Sequence, residues 1–237
     1  MNPILTRSDG RSVLRMERRL AHPPERVWPA LVEPERLADW FPSTATIEQR
    51  VGGRVEFGFG ADGTVTDLDP PRLIAFTWDT DHLRFELRPD GDGSVLLLTH
   101  AFDDGPGAAS FAAGWHTCLA ALGLVLDGRP GEDPGLDHRA LHEEYVDVLG
   151  LLEPVVTETQ GGWEVALERQ LVHPPEVVAP LVAGLDGRWE LPEGTGHGAR
   201  VRHSRTAATA QERDRARVEV PAAVAALVDR LPVAQHA

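Results

Sequence analysis

The phrase ERRLAHPPERVWP at residues 17–29 returns as ERQLVHPPEVVAP at residues 168–180. Over Met16–Pro29 against Leu167–Pro180, nine of fourteen positions agree: Glu17, Arg18, Leu20, His22, Pro23, Pro24, Glu25, Val27 and Pro29. A repeat constrains a fold before any other feature, because two stretches that share a phrase are expected to share a local structure. In the first copy SVLRMERRL reads as extended, and HPP stops the strand. Pro23 and Pro24 then suit the start of a helix, where a missing N–H costs little. The turn role also claims His22 and His173, which both precede Pro-Pro.

The residues after the first copy of the phrase set the order of elements. PERVWPALVEPERLADWF predicts two short helices broken at Pro34, with Val27, Trp28, Leu31, Leu37 and Trp40 as apolar positions. Six short strands follow, at 44–50, 53–60, 63–69, 72–79, 82–89 and 93–101, separated by VGG, GADG, DPP, DTD and RPDGDG. HLRFELR alternates, with Leu83, Phe85 and Leu87 on one face and His82, Arg84, Glu86 and Arg88 on the other. That is a half-buried antiparallel strand. After DDGPG the period becomes helical, with Phe111, Trp115, Leu119, Leu122 and Leu126 recurring until DGRPGEDPG ends the helix. One sheet covered by one long helix is a two-layer α+β arrangement.

Composition removes several kinds of chemistry. All 23 basic residues are arginine, so Schiff-base formation, pyridoxal phosphate attachment and a Walker-type phosphate loop have no lysine to use. The single cysteine, Cys118, excludes an internal disulfide and a Cys-rich zinc site. A net charge of −14, with no basic block, argues against a nucleic acid or an anionic membrane as partner. The start MNPILTRSDGRS lacks an apolar signal region, and no stretch approaches 18 uninterrupted apolar residues. The reading is therefore a cytoplasmic protein with no cofactor and no metal.

HPPERVWPALVEPERLADWF, VGGRVEF, DPPRLIAFTW, GSVLLLTHAF and the GW before the long helix together resemble a known family. It is the Hsp90-ATPase-activator-homologue branch of the SRPBCC (START/Bet v 1-like) superfamily, and the resemblance covers about residues 12–128. The resemblance implies a helix-grip fold, in which a curved antiparallel sheet wraps a long C-terminal helix and leaves a cavity between them. It implies little about the ligand.

The second phrase continues faintly. GRWELP (187–192) can follow ADWFP, GARV (198–201) can follow GGRV, and PAAVAALVDRL (221–231) reads as a closing helix. The expected organisation is a helix-grip domain at 1–128, a linker with one helix at 129–162, and an abbreviated second copy at 163–237. Several strands are missing from that copy. A half-domain of this kind is expected to dock on the first, since it cannot bury its own apolar face. Val95 and Leu97 fall where relatives usually show polar residues, so they are expected to need cover from that lobe or from a second subunit.

In GSVLLLTHAF, Val95, Leu97 and Thr99 are expected to face out, and Leu96, Leu98 and His100 to face the cavity. His100 is the best-placed ionisable residue, either as a catalytic acid or base or as a histidine fixed at the wall. The expected ligand-binding set is Trp40, Phe41, Phe57, Phe59, Trp78, Phe85, Leu98, His100, Phe111, Trp115, Leu119 and Leu122. His138 and His142 have metal-ligand spacing, but HRALH lacks the glutamate of HExxH, and a solvated charged helix accounts for it. No GxSxG or Cys/His pairing of a hydrolase is present.

Three functions follow. The first is a binding protein, monomer or homodimer, for a small hydrophobic, mainly apolar or aromatic ligand. The second is a cyclase, dehydratase or hydrolase acting on a polyketide-like or aromatic substrate through His100. The third, suggested only by the family's name, is a co-chaperone.

Overall fold

The computed structural model describes residues 3–60, 62–195 and 198–232. Ala61 of the GADG turn and the last five residues of the expected second copy lie outside them. The chain clusters into two compact units, Met1–Tyr145 and Val146–Ala237.

The first unit opens with a hairpin, β1 (Ile4–Ser8) and β2 (Arg11–Leu20), followed by helices α1 (Pro24–Val32) and α2 (Pro34–Leu37). Pro24 and Pro34 each occupy the first turn of their helix, where no N–H is needed. Strands β3 (Ala45–Ile47), β4 (Arg54–Phe57), β5 (Asp62–Asp69), β6 (Leu73–Trp78), β7 (Asp81–Asp90) and β8 (Gly93–Phe102) come next. One turn of 3-10 helix then leads into α3 (Ala108–Leu126). The eight strands form one antiparallel sheet in the order β1-β2-β8-β7-β6-β5-β4-β3. A register shift between Val65 and Asp67 breaks the β5–β6 ladder, as a bulge does where a sheet bends.

Period-2 alternation decides the inner face. Leu14 and Met16 of β2, Leu83, Phe85 and Leu87 of β7, and Leu96, Leu98 and His100 of β8 are buried. Helix α3 carries Ala108, Ala109, Ala112 and Ala113, then Leu119 and Leu122, all buried. Gly105–Leu126 is long and apolar enough to cross a membrane by length and composition. The sequence reading missed this because Ser110, His116 and Thr117 interrupt the apolar run without adding a charge. In the fold it is the helix against which the sheet packs.

On the outer face Val95 and Leu97 are only partly covered. Leu97 pairs across the ladders with Glu17 and Glu86, and Val95 with Arg19 and Arg88. Long charged side chains carry apolar stems that cover such neighbours while their heads stay in water. The expected need for an external lid is thereby reduced.

Beyond α3 comes α4 (His138–Val148), with Leu141, His142, Tyr145 and Val146 buried. It is amphipathic, which corrects the expectation of a solvated charged helix.

The second unit contains β9 (Val155–Thr159), β10 (Gly162–Gln170), α5 (Pro175–Val182), β11 (Arg188–Glu190), β12 (Arg200–Ala207) and α6 (Ala210–Asp229). The starts of β9, β10 and α5 each lie 151 positions after those of β1, β2 and α1 (155−4, 162−11, 175−24). Its sheet order, β11-β12-β10-β9, matches β7-β8-β2-β1. Strand β12 therefore stands where β8 stands, and α6 follows it as α3 follows β8.

This corrects the expected alignments: GARV opens the counterpart of β8 rather than of β4, and RWE is a strand whereas ADWF is a turn. The strands between α5 and β11 are the missing ones. The unit nonetheless has a core of its own, built from Val165, Leu167, Val178, Val201, Val220, Val224 and Leu227. That removes the reason given for docking.

The repeated histidines now have a structural role. Nε2 of His22 lies 3.1 Å from Asp127 Oδ1, just past the end of α3, and Nε2 of His173 lies 2.9 Å from the carbonyl of Pro232, past α6. In each unit the HPP turn is tied to the end of the closing helix. The shared phrase encodes that strand–turn–helix joint.

Candidate functional site

The inward parity of β8 places His100 beneath α3 with 4% of its surface exposed. Its Nε2 lies 2.8 Å from Oδ2 of Asp81, the first residue of β7. The indole Nε1 of Trp115, on α3, donates to His100 Nδ1 at 3.2 Å. The rings of Phe102 and Phe111 stand 4.8 and 5.0 Å from the imidazole. Asp81 is held in turn by Arg11, whose Nη2 is 3.7 Å from Oδ1. Arg11 also bonds Asp103 at 2.8 Å and the carbonyl of Thr80 at 2.7 Å. A line of polar contacts thus runs from the half-exposed Arg11 through Asp81 and His100 to a buried indole.

Aromatic residues occupy the rest of the space between sheet and helix. From the surface inward, Phe59 contacts Trp78 at 5.5 Å, Trp78 contacts Phe41 at 5.3 Å, Phe41 contacts Trp115 at 5.7 Å, and Trp115 contacts His100 at 6.0 Å. Phe57 stacks on Trp78 at 5.0 Å, and Phe85 lies 5.9 Å from Trp115 and 6.0 Å from Trp40. Such centroid spacings are those of favourable ring pairs.

Eleven of the twelve expected residues are thus buried or half-buried, and eight of them share one ring cluster around Trp115. Phe59 is the exception. It is 57% exposed, because β4 ends at Phe57 and leaves Phe59 beyond the sheet. Leu98, Leu119 and Leu122 are fully buried. The expected open cavity is occupied here by rings in mutual contact. A surface groove of about 450 Å³ beside α2, β3 and β4 touches only Phe57 of this set.

Asp81 and Arg11 were missed from the sequence, where Asp81 was read as part of the DTD turn. The signal was present. Asp81 shares the parity of Leu83, Phe85 and Leu87, and the register pairs Leu83 with His100.

Other candidates resolve without a second site. His138 is exposed and His142 fully buried, and among the described residues no group of three or more metal-ligating side chains occurs. Burial pushes the Cys118 thiol up to about 11, which denies it thiolate chemistry at neutral pH.

His116, one position from Trp115, faces α4, where Tyr145 Oη lies 2.6 Å from its Nδ1. Burial holds His116 below the ordinary imidazole value and pushes Tyr145 up to about 12. Tyr145 is the sole tyrosine, so alkaline absorbance titration reports on it alone. The expected midpoint lies near 12 in the folded protein, against about 10 after denaturation. Because the folded value is raised, the stability it contributes is present below about pH 10 and lost as pH climbs through the folded value. A native midpoint near 10 would show that α4 does not shield the phenol.

A curved antiparallel sheet gripping one long helix, with its polar pair sunk between them, is a helix-grip fold. Residues 21–127 match the model of the family described as Activator of Hsp90 ATPase homolog 1-like protein, so the first unit is similar to that family. It is similar to a conserved Enterococcus faecalis protein of unknown function, with 22% identity and a TM-score of 0.56, over 62% of this chain and 90% of that one. It is also similar to CalU16 from Micromonospora echinospora, with 21% identity and a TM-score of 0.50, over 62% and 93% of the two chains. At these identities the likeness establishes the fold. No curated protein matches the chain.

Proposed function

We propose that the first unit binds a small, flat, mainly apolar or aromatic molecule between the sheet and α3, with His100 as its polar anchor. The observation that supports this is the unbroken ring path from exposed Phe59 to His100, whose imidazole is paired with the Asp81 carboxylate. A ligand on that path exchanges one ring contact for another, so it takes the place of a side chain, Trp115 foremost, rather than filling an open hole. A cytoplasmic setting and an abbreviated second copy without a site of its own belong to the same reading.

One observation favours a second reading. Asp81 orients His100 as a carboxylate orients a catalytic imidazole, which would make Nδ1 an acid or base once Trp115 withdraws. The described partners of the ring, Asp81, Trp115, Phe102 and Phe111, include no hydroxyl or thiol, so binding is placed first. Co-chaperone activity has the family description behind it and no contact in the site.

Native mass spectrometry of freshly purified chain tests for a co-purified molecule, and Nile red tests the site directly. The expected result is near one dye per chain and an affinity changed several-fold in folded Trp115→Ala. Unchanged affinity in that variant would sink the assignment.

A further inference from the structure

We propose that this site selects neutral aromatic molecules carrying an O–H or N–H donor, and that Asp81 is the positioning residue that sets the selection. The inference rests on the ligand-binding reading above and adds the chemical class of ligand.

It follows from which atoms can donate. An indole N–H has no acceptor capacity, so the 3.2 Å contact from Trp115 requires an unprotonated Nδ1 on His100. A neutral imidazole then carries its proton on Nε2, where it donates to the Asp81 carboxylate at 2.8 Å. Arg11, 3.7 Å from Asp81, favours the carboxylate form, and the acceptor at Nε2 with the donor at Nδ1 selects this tautomer. Protonation of both nitrogens would set two donors face to face at Trp115. What His100 offers toward α3 is therefore a lone pair, walled by Phe102 and Phe111.

A molecule that takes the place of the Trp115 ring must satisfy that lone pair or leave a buried acceptor without a partner. A phenol, pyrrole or amide N–H satisfies it. A carboxylate brings lone pairs against a lone pair, with the Asp81 charge just beyond the imidazole. An ammonium group can donate, but it would have to shed its water against two phenyl rings. A neutral donor is what remains.

The test uses the full chain with naphthalene probes of one shape: 2-naphthol, 2-methoxynaphthalene and 2-naphthoate, titrated by calorimetry. The expected order is 2-naphthol about tenfold or more tighter than 2-methoxynaphthalene, with 2-naphthoate weakest. The imidazole ¹⁵N shifts of His100 in the ligand-free protein are expected to show Nδ1 unprotonated and Nε2 protonated. In Asp81→Leu the imidazole can turn its proton to Nδ1 once a ligand displaces Trp115, so Nδ1 in the 2-methoxynaphthalene complex moves toward the protonated range and the naphthol advantage shrinks.

Equal affinity for 2-naphthol and 2-methoxynaphthalene overturns the donor selection while leaving the binding reading intact. A protonated Nδ1 in the unaltered protein overturns it without any ligand or variant. A folded Asp81→Leu that keeps both the shift and the preference overturns the role of Asp81. Failure of every probe to bind removes the binding reading itself, and this inference with it.

Discussion

Trp40→Ala is expected to cost the first unit about 3–5 kcal/mol, the range for emptying a buried tryptophan site. Trp40 is 4% exposed, and its indole N–H donates to the carbonyl of Ala30 at 2.8 Å, tying the turn after α2 back to α1. Its ring meets Phe41 at 5.6 Å and Phe85 at 6.0 Å, both edge-on, so it also holds two rings of the candidate site in place. The variant therefore combines a cavity with the loss of a buried hydrogen bond. Trp40→Phe separates the two contributions. It keeps most of the ring packing and loses the donor, for an expected cost of roughly 1–2 kcal/mol. Urea denaturation followed by far-ultraviolet circular dichroism measures both. Equal midpoints for Trp40→Ala and the unaltered protein would show that the turn is not part of the core.

Much of this architecture is legible in the sequence, and what is not has physical causes. The alternation in HLRFELR and GSVLLLTHAF gives the inner face, and with it the position of His100. The turn residues and the helical period of Phe111, Trp115, Leu119 and Leu122 give the rest of the first unit. Strands β1 and β9 escaped because ILTRS and VVTET lie at sheet edges, largely exposed, and have no buried face to impose alternation. The partner of His100 escaped because a strand was read as starting one residue late. Asp81 fell in a turn on composition, although its backbone is already paired with Trp78. Phe59 was placed in the site because it is aromatic and close to Phe57. Only the end of β4 shows that Gly58 has carried the chain off the sheet. The filled interior was not legible either, since periodicity says which rings point inward but not whether they touch.

Two truncations are expected to behave differently. A chain ending at about residue 150 keeps α4, and it should remain soluble with a cooperative transition, because the first unit holds a complete sheet, α3 and a core of its own. A chain ending at about residue 130 loses α4, and with it the Tyr145 contact that shields His116 on α3. Helix α3 is apolar on every side, so the stretch from His116 toward Val125 has little of its own to offer water. Losing the burial of a large aromatic and a leucine corresponds to roughly 3 kcal/mol or more. The shorter chain should therefore melt earlier, bind hydrophobic dye and associate. A comparison made only at residue 130 would attribute this loss to the second unit, although the second unit buries its apolar residues in its own core. The pair of cuts separates the causes. If both fragments match in melting temperature and dye binding, α4 is an appendage and Tyr145 shields nothing. If both collapse, the first unit depends on residues after 150, and the docking expected from the sequence is restored.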